Sequence, residues 1–158
     1  MDKQIISIDS PTDFIVGKYV SSDELKPYMN APYKIKAGVF ILCMEGYIRT
    51  TINQSEYTST RHHVTTLIPN SYLQIHEMSE EILIYFVAFS SDFMGYVNFV
   101  RSTMSCLSVI YKNPVIPISQ EMSCLFATFY DLLFQYAIYP NILNNKEMIK
   151  AIFTMCSQ

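Results

Sequence analysis

Short β-forming runs alternate with turn residues between positions 38 and 89, and this alternation is the feature that most constrains the fold. The runs follow one another at intervals of roughly six to ten residues, which is typical of a β-sandwich or a β-barrel. Together with an edge strand expected at 13–20, the predicted strands are 38–44, 47–52, 57–60, 64–68, 72–77 and 82–89.

Two of these runs predict more than a strand: one predicts a hairpin, and the other predicts burial on both faces. Glu45 and Gly46 separate 38–44 from 47–52, and a glycine between two β-forming runs favours a hairpin because it readily adopts a positive φ. The run 82–89 is almost entirely apolar. It therefore predicts a strand that is buried on both faces, between the interior of a barrel and a covering helix.

Helical periodicity replaces the β pattern after about residue 90. A group of N-capping residues at 90–92 predicts a short helix from about 92 to 104. Ser119 predicts the start of a long helix that ends at Tyr139, because a proline follows. A last helix is expected over about 145–158 and is still in register where the sequence stops, so we expect the chain to be part of a longer protein.

The long helix carries two apolar stripes that together cover an arc of about 240°. Such a helix has to bury both sides, one against the barrel and the other against the next helix or a second subunit. We expect a homodimer built around it; burial of both stripes within one subunit is the alternative. The first stripe contains Met122, Leu125, Phe126, Phe129, Leu132, Leu133, Tyr136 and Ala137, and the second contains Tyr130, Phe134 and Ile138. The residues expected at the dimer contact are Phe129, Tyr130, Leu133, Phe134, Tyr136 and Ile138.

The net charge of −3 argues against direct contact between these residues and DNA. Modules that grip duplex phosphates usually carry a basic excess, and no basic run is present. The cysteines, Cys43, Cys106, Cys124 and Cys156, are scattered, as is typical of free thiols in a reducing cytosol. The apolar runs are far shorter than the ~20 residues that span a bilayer. We therefore expect a cytoplasmic protein that does not enter a membrane.

The histidines do not have the spacing of a metal site. Adjacent side chains on a strand point to opposite faces, so His62 and His63 cannot both bind one ion, and His76 with Glu77 has the same problem. The sequence contains no nucleophile elbow, phosphate-binding loop or dinucleotide-binding glycine motif. We therefore expect no catalytic residue, no metal ligand and no cofactor, and we expect that the protein is not an enzyme.

Four segments, taken in order, resemble the N-terminal domain of AraC-family bacterial transcription regulators. They are Val-Phe-Ile-Leu-Cys-Met-Glu-Gly-Tyr-Ile at 39–48, Ile-Asn-Gln-Ser-Glu-Tyr at 52–57, Val-Thr-Thr-Leu-Ile-Pro-Asn at 64–70 and Phe-Ser-Ser-Asp-Phe-Met at 89–94. The resemblance spans nearly the whole chain, and it consists of patterns of hydrophobic and turn residues.

The resemblance implies a mostly β fold with a C-terminal α part. Residues 1–90 would form a cupin-like double-stranded β-helix barrel, and residues 91–158 would form a helical dimerisation segment packed on it as one structural unit. The barrel would sense a small effector. DNA would be bound only through a helix-turn-helix domain that is absent here and expected beyond residue 158.

The matching positions also limit the effector. In sugar-sensing members of the family, polar and aromatic groups on two strands hold the ligand, with help from an upstream arginine. By this resemblance the equivalent positions are Ala31, Leu73, Ile75, Ile84 and Phe86. Because buried polar ligand groups need partners, we expect a small apolar or aromatic effector at the last four of these. The alternative is that their side chains simply fill the barrel.

Two other functions remain open at this point. One is a stand-alone cupin-like protein that binds a small molecule and has no DNA-binding partner. The other is a metal-dependent cupin enzyme, such as a dioxygenase or an isomerase, which requires a cluster of inward-facing histidines.

Overall fold

The computed structural model describes residues 5–96 and 112–138, which form two β-sheets and an outer layer of helices. The strands are β1 (Ile6–Ile8), β2 (Phe14–Ser21), β3 (Tyr33–Ile35), β4 (Gly38–Glu45), β5 (Tyr47–Ile52), β6 (Ser55–Thr60), β7 (His63–Leu67), β8 (Ser71–Met78), β9 (Leu83–Phe89) and β10 (Val115–Pro117). The helices are α1 (Ser22–Leu25), which runs into a 3-10 turn at Lys26–Tyr28, α2 (Ser91–Tyr96) and α3 (Gln120–Ile138). The predicted continuation of α2 to about 104 and the predicted helix at 145–158 lie outside the described residues.

Each sheet has five strands. Sheet I has the order β1-β3-β8-β5-β6, and sheet II has the order β10-β7-β4-β9-β2. Neighbouring strands are antiparallel except for β1 and β3, which run parallel. The sheets pack face to face, because Ile35 and Ile52 of sheet I share one core cluster with Val39, Leu67 and Ala88 of sheet II. The predicted mostly β architecture with a C-terminal helix is confirmed.

The predicted hairpin between β4 and β5 is wrong. β4 pairs with β7 and β9 in sheet II, whereas β5 pairs with β6 and β8 in sheet I. Gly46 has the positive φ expected of it, at 77°, but it carries the chain from one sheet to the other. The hairpin of this region is β5–β6, closed at Asn53, which has a φ of 58°. A glycine after an apolar run indicates a change of direction without indicating which strand comes next to which.

Strand β9 is buried on both faces, as its apolar sequence predicts. Ile84 and Ala88 belong to clusters between the sheets. Tyr85, Val87 and Phe89 belong to the cluster that joins the outer face of sheet II to the helices. Since side chains alternate along a strand, β9 is a wall one residue thick between the interior of the sandwich and the helical layer.

Helix α3 packs on the outer face of sheet II. Its start is fixed by Ser119, whose Oγ accepts the N–H of Met122 at 3.1 Å, which confirms the predicted N-cap. Tyr130 and Leu133 are each only 1% exposed, and the Tyr130 hydroxyl donates to the Phe40 carbonyl at 3.0 Å. These contacts hold the helix against the strands that line the interior.

Across 5–96 and 112–138, no helix has both the length and the apolar character needed to cross a membrane.

Candidate functional site

A cavity of about 180 Å³ lies between the two sheets. Ten of its thirteen lining residues are apolar, and none of the thirteen carries a charge. An apolar cavity that also contains a few polar groups is the usual form of a small-molecule site.

The four residues predicted to contact a ligand all line this cavity. Leu73 and Ile75 are two positions apart on β8 and therefore share a face of sheet I. Ile84 and Phe86 are two positions apart on β9 and face them from sheet II. Ala31, the fifth position considered with them, is not among the described lining residues. The structure thus brings these four together, while their contact with a ligand stays a prediction.

Three hydroxyls in the cavity were not singled out from the sequence. Thr50, Ser59 and Thr65 line it and are 8%, 5% and 7% exposed. Among the described residues their side chains make no hydrogen bond, and their hydroxyls lie at the cavity surface. The inward position of Thr50 could have been predicted from the sequence of β5. Thr50 alternates with Ile48 and Ile52 and therefore shares their buried face of the strand.

The charged groups near the cavity lie on the other face of sheet I. Arg49 donates to Glu56 at 2.8 Å and to Glu77 at 3.4 Å. Hydrogen bonds from Tyr47 and then Arg49 lower the pKa of the Glu77 carboxyl. Because Arg49 and Thr50 are neighbours on one strand, their side chains point to opposite faces. Among the residues that the structure describes, the interior therefore offers hydroxyls but no charged side chain to hold a charged ligand.

The histidines occupy three separate environments. His62 lies in the turn before β7 with a φ of 67°, and its Nδ1 is enclosed without a hydrogen-bond partner in the described residues. His63 Nδ1 contacts the Thr60 hydroxyl at 2.8 Å, and His76 Nε2 contacts the Thr51 hydroxyl at 2.6 Å. Within 5–96 and 112–138, no three His, Cys, Asp or Glu side chains are grouped so that they could hold a metal ion.

The cysteines that the structure describes are free thiols in contrasting surroundings. Cys43 is buried at the end of β4, and its burial raises the pKa of the thiol to about 11. Cys124 is exposed on α3. Cys106 and Cys156 lie outside the described residues. At neutral pH the Cys43 thiol is therefore protonated and acts as a small core residue.

The structure divides the predicted dimer residues of α3 into three groups. Tyr130 and Leu133 lie inside the subunit and cannot form its outer surface, which corrects their assignment to a dimer contact. Phe129 and Phe134 are half-buried. The side chains of Tyr136 and Ile138 lie outside the described part of the chain.

A different set of apolar side chains is exposed on α3. Met122, Leu125 and Leu132 are 43%, 61% and 61% exposed, and we call them the outer apolar patch. With Phe129 they follow a spacing of three, four and three residues, the spacing at which helices pair along a seam. All four were in the first apolar stripe of the sequence, but periodicity did not show which stripe faces the sheet.

The chain matches no protein-family model and no curated protein. Its function has to be inferred from the cavity and from the outer apolar patch.

Proposed function

We propose that this chain is the effector-sensing and dimerisation domain of an AraC-type transcription regulator, built on a cupin-like barrel. A small molecule binds in the cavity between the sheets, and α3 contributes to the contact between two subunits. DNA is bound by a helix-turn-helix domain expected beyond Gln158, and the protein acts in the bacterial cytoplasm. The net charge of −3 supports assigning the DNA contact to other residues.

The order of the strands supports the cupin-like part of the proposal. Without β1 and β10, the sheets have the orders β3-β8-β5-β6 and β2-β9-β4-β7. Apart from β5 and β6, which form a hairpin, strands that follow one another from β2 to β9 lie in opposite sheets. Two four-stranded antiparallel sheets connected in this way are typical of the jelly rolls to which cupins belong.

The observation that carries the functional proposal is the position of β9. Ile84 and Phe86 line the cavity, whereas Tyr85 and Val87 contact the helical layer. A ligand that displaces the inward side chains of β9 moves the wall on which α3 rests, since close-packed interiors transmit strain. A binding event in the cavity is thereby linked to the surface through which subunits associate.

The outer apolar patch supports dimerisation. Burying one Leu or Met side chain contributes roughly 1.5–3 kcal/mol, so burying Met122, Leu125 and Leu132 in each of two subunits favours association by several kcal/mol.

Sedimentation equilibrium of residues 1–158 tests the dimer. We expect a dimer at concentrations of about tens of micromolar, and we expect Leu125→Glu combined with Leu132→Glu to shift it to monomer, because two carboxylates cannot be buried unpaired. Cys124→Glu is the control, since Cys124 is exposed on the same helix and faces away from the patch. A wild-type chain that stays monomeric at these concentrations, or a double variant that still dimerises, contradicts this assignment of α3.

The coding sequence after Gln158 tests the regulatory role. We expect it to encode two helix-turn-helix units, and we expect the full-length protein to bind duplex DNA with an affinity that falls steeply as salt rises. A full-length protein without such units, or one that does not bind DNA, contradicts the assignment to a transcription regulator.

A further inference from the structure

The polar groups of the cavity come from one side of it. Thr50, Ser59 and Thr65 lie on β5, β6 and β7, whereas β3, β4, β8 and β9 contribute only apolar lining. Thr50 is opposite Tyr57 in the ladder, so Ser59, two positions along β6, shares its face of sheet I. A molecule in the cavity therefore meets hydroxyls on one side and hydrocarbon on the other.

These three hydroxyls differ from those of Ser71 and Ser79, which are also buried. Ser71 donates to a backbone carbonyl at 2.7 Å, and Ser79 accepts a backbone N–H at 2.9 Å. Thr50, Ser59 and Thr65 are all more than nine-tenths buried as residues, and among the described residues their side chains make no hydrogen bond. Since buried polar groups are normally paired, these are available to a bound molecule.

The volume limits the size of that molecule. An apolar protein cavity of about 150 Å³ takes up benzene. The cavity between the sheets, at about 180 Å³, matches a single six-membered ring with one or two small substituents.

The lining limits the polarity of the molecule. None of the described residues that line the cavity is charged, so an ionised carboxylate or ammonium group would be buried without compensation. A sugar carries a hydroxyl on nearly every carbon, and three protein hydroxyls on one side of the cavity leave most of them unpaired.

We propose that the cavity binds an uncharged single-ring molecule with one hydroxyl group, of the phenol or aromatic-alcohol class. The ligand hydroxyl exchanges hydrogen bonds with Thr50, Ser59 and Thr65, and the ring lies against Ile75, Ile84 and other apolar lining. This inference rests on the proposed function only in treating the cavity as the effector site.

Calorimetric titration of the chain with four probes tests the ligand class. p-Cresol and toluene differ only in the hydroxyl, while benzoate and glucose represent the excluded charged and polyhydroxylated classes. We expect p-cresol to bind about threefold to tenfold more tightly than toluene, and we expect no heat from benzoate or glucose. In a wholly apolar cavity toluene would bind more tightly, because the phenolic hydroxyl would lose its water without replacement.

Valine variants identify the groups that hold the hydroxyl. Thr50→Val and Thr65→Val keep the side-chain shape and remove the hydroxyl, so we expect the preference to reverse towards toluene while the unfolding temperature is unchanged or raised. Thr58→Val is the matched control, since Thr58 is exposed on the outer face of β6. Ile84→Phe fills the cavity and should abolish binding of both probes.

Three results overturn the inference: toluene binding at least as tightly as p-cresol, no binding by any probe, or p-cresol binding that survives Ile84→Phe. These results are separate from those of the dimer test. If the chain is monomeric but p-cresol binds as expected, the assignment of α3 to a dimer contact fails and the ligand class stands. If the chain dimerises but prefers toluene, the ligand class fails and the dimer contact stands.

Discussion

At the scale of single residues, Gly46 shows how closely the two sheets approach where the chain crosses between them. A Cβ at this position would lie 2.3 Å from Ser79 Oγ and 2.9 Å from the Ile82 backbone. The φ of 77° is a second constraint, because residues other than glycine are strained at a positive φ. The crossing therefore requires glycine for two independent reasons.

We expect Gly46→Ala to destabilise the protein by about 1–3 kcal/mol, the usual range for local backbone strain. Urea unfolding measures the change. Gly95→Ala is the control: Gly95 lies in α2, and no atom of residues 5–96 and 112–138 lies within 4 Å of the added Cβ, so alanine should be neutral or stabilising there. Equal effects of the two substitutions would contradict this account of the crossing.

The residues of the candidate site were only partly predictable from the sequence. The apolar lining residues Leu73, Ile75, Ile84 and Phe86 were predictable because apolar residues two positions apart on a buried strand share one face. Thr65 was not, because threonine is common on both faces of strands. Its role depends on the opposite sheet, which does not appear in the local sequence.

At the scale of elements, α3 is defined at its start by a single side chain. The Oγ of Ser119 accepts one of the N–H groups that the first turn leaves without an intrahelical partner. We expect Ser119→Ala to lower the free energy of unfolding by about 1 kcal/mol.

Thr128→Ala provides the comparison within the same helix. The Thr128 hydroxyl donates to the Cys124 carbonyl at 3.0 Å in mid-helix, where such bonds contribute little and alanine is the better helix former. We therefore expect a lower unfolding temperature for Ser119→Ala than for Thr128→Ala. Equal unfolding temperatures would show that Ser119 does not act as a cap.

The strands were predicted well because burial alternates along each of them, whereas their pairing was not. The run that became β4 could be placed within a residue or two, yet its partners β7 and β9 lie about 20 and 40 residues further along the chain. The local sequence carries the period of a strand, but the choice between a hairpin and a crossing depends on how the sheets pack. The same limit explains why the outward side of α3 could not be identified from its stripes.

At the scale of the whole molecule, Asp9 connects the N-terminal strand to the helical layer. Its carboxylate accepts hydrogen bonds from the N–H of Ser91, at 3.0 Å, and from the Ser91 hydroxyl. Burial opposes ionisation of this group, but the hydrogen bonds from Ser91 and Ser10 together with the charge of Lys36 outweigh it and hold the pKa of Asp9 below its usual value. The start of α2 is thereby joined to residues about 80 positions earlier in the chain.

The direction of this pKa shift determines how the stability of the protein changes with pH. A carboxyl with a lowered folded-state pKa stabilises the protein above its unfolded-state pKa, and that stability is lost as the pH falls through the folded-state pKa. We expect the stability advantage of wild type over Asp9→Asn to shrink from about pH 5 to about pH 2, as measured by urea unfolding. Asp23→Asn is the control, since Asp23 lies in α1 and pairs with Lys26. An advantage that is constant across this range would contradict the prediction.

In β9, the side chains at the even-numbered positions 84 and 86 face the cavity and those at the odd-numbered positions 85 and 87 face the helical layer. Substitutions in this strand therefore fall into two classes. Substitutions at 84 and 86 act directly on the chamber, whereas substitutions at 85 and 87 act directly on the surface that carries α3. Selectivity for a small molecule and the strength of subunit association thus depend on different side chains of a single seven-residue strand, and the backbone of that strand links the two.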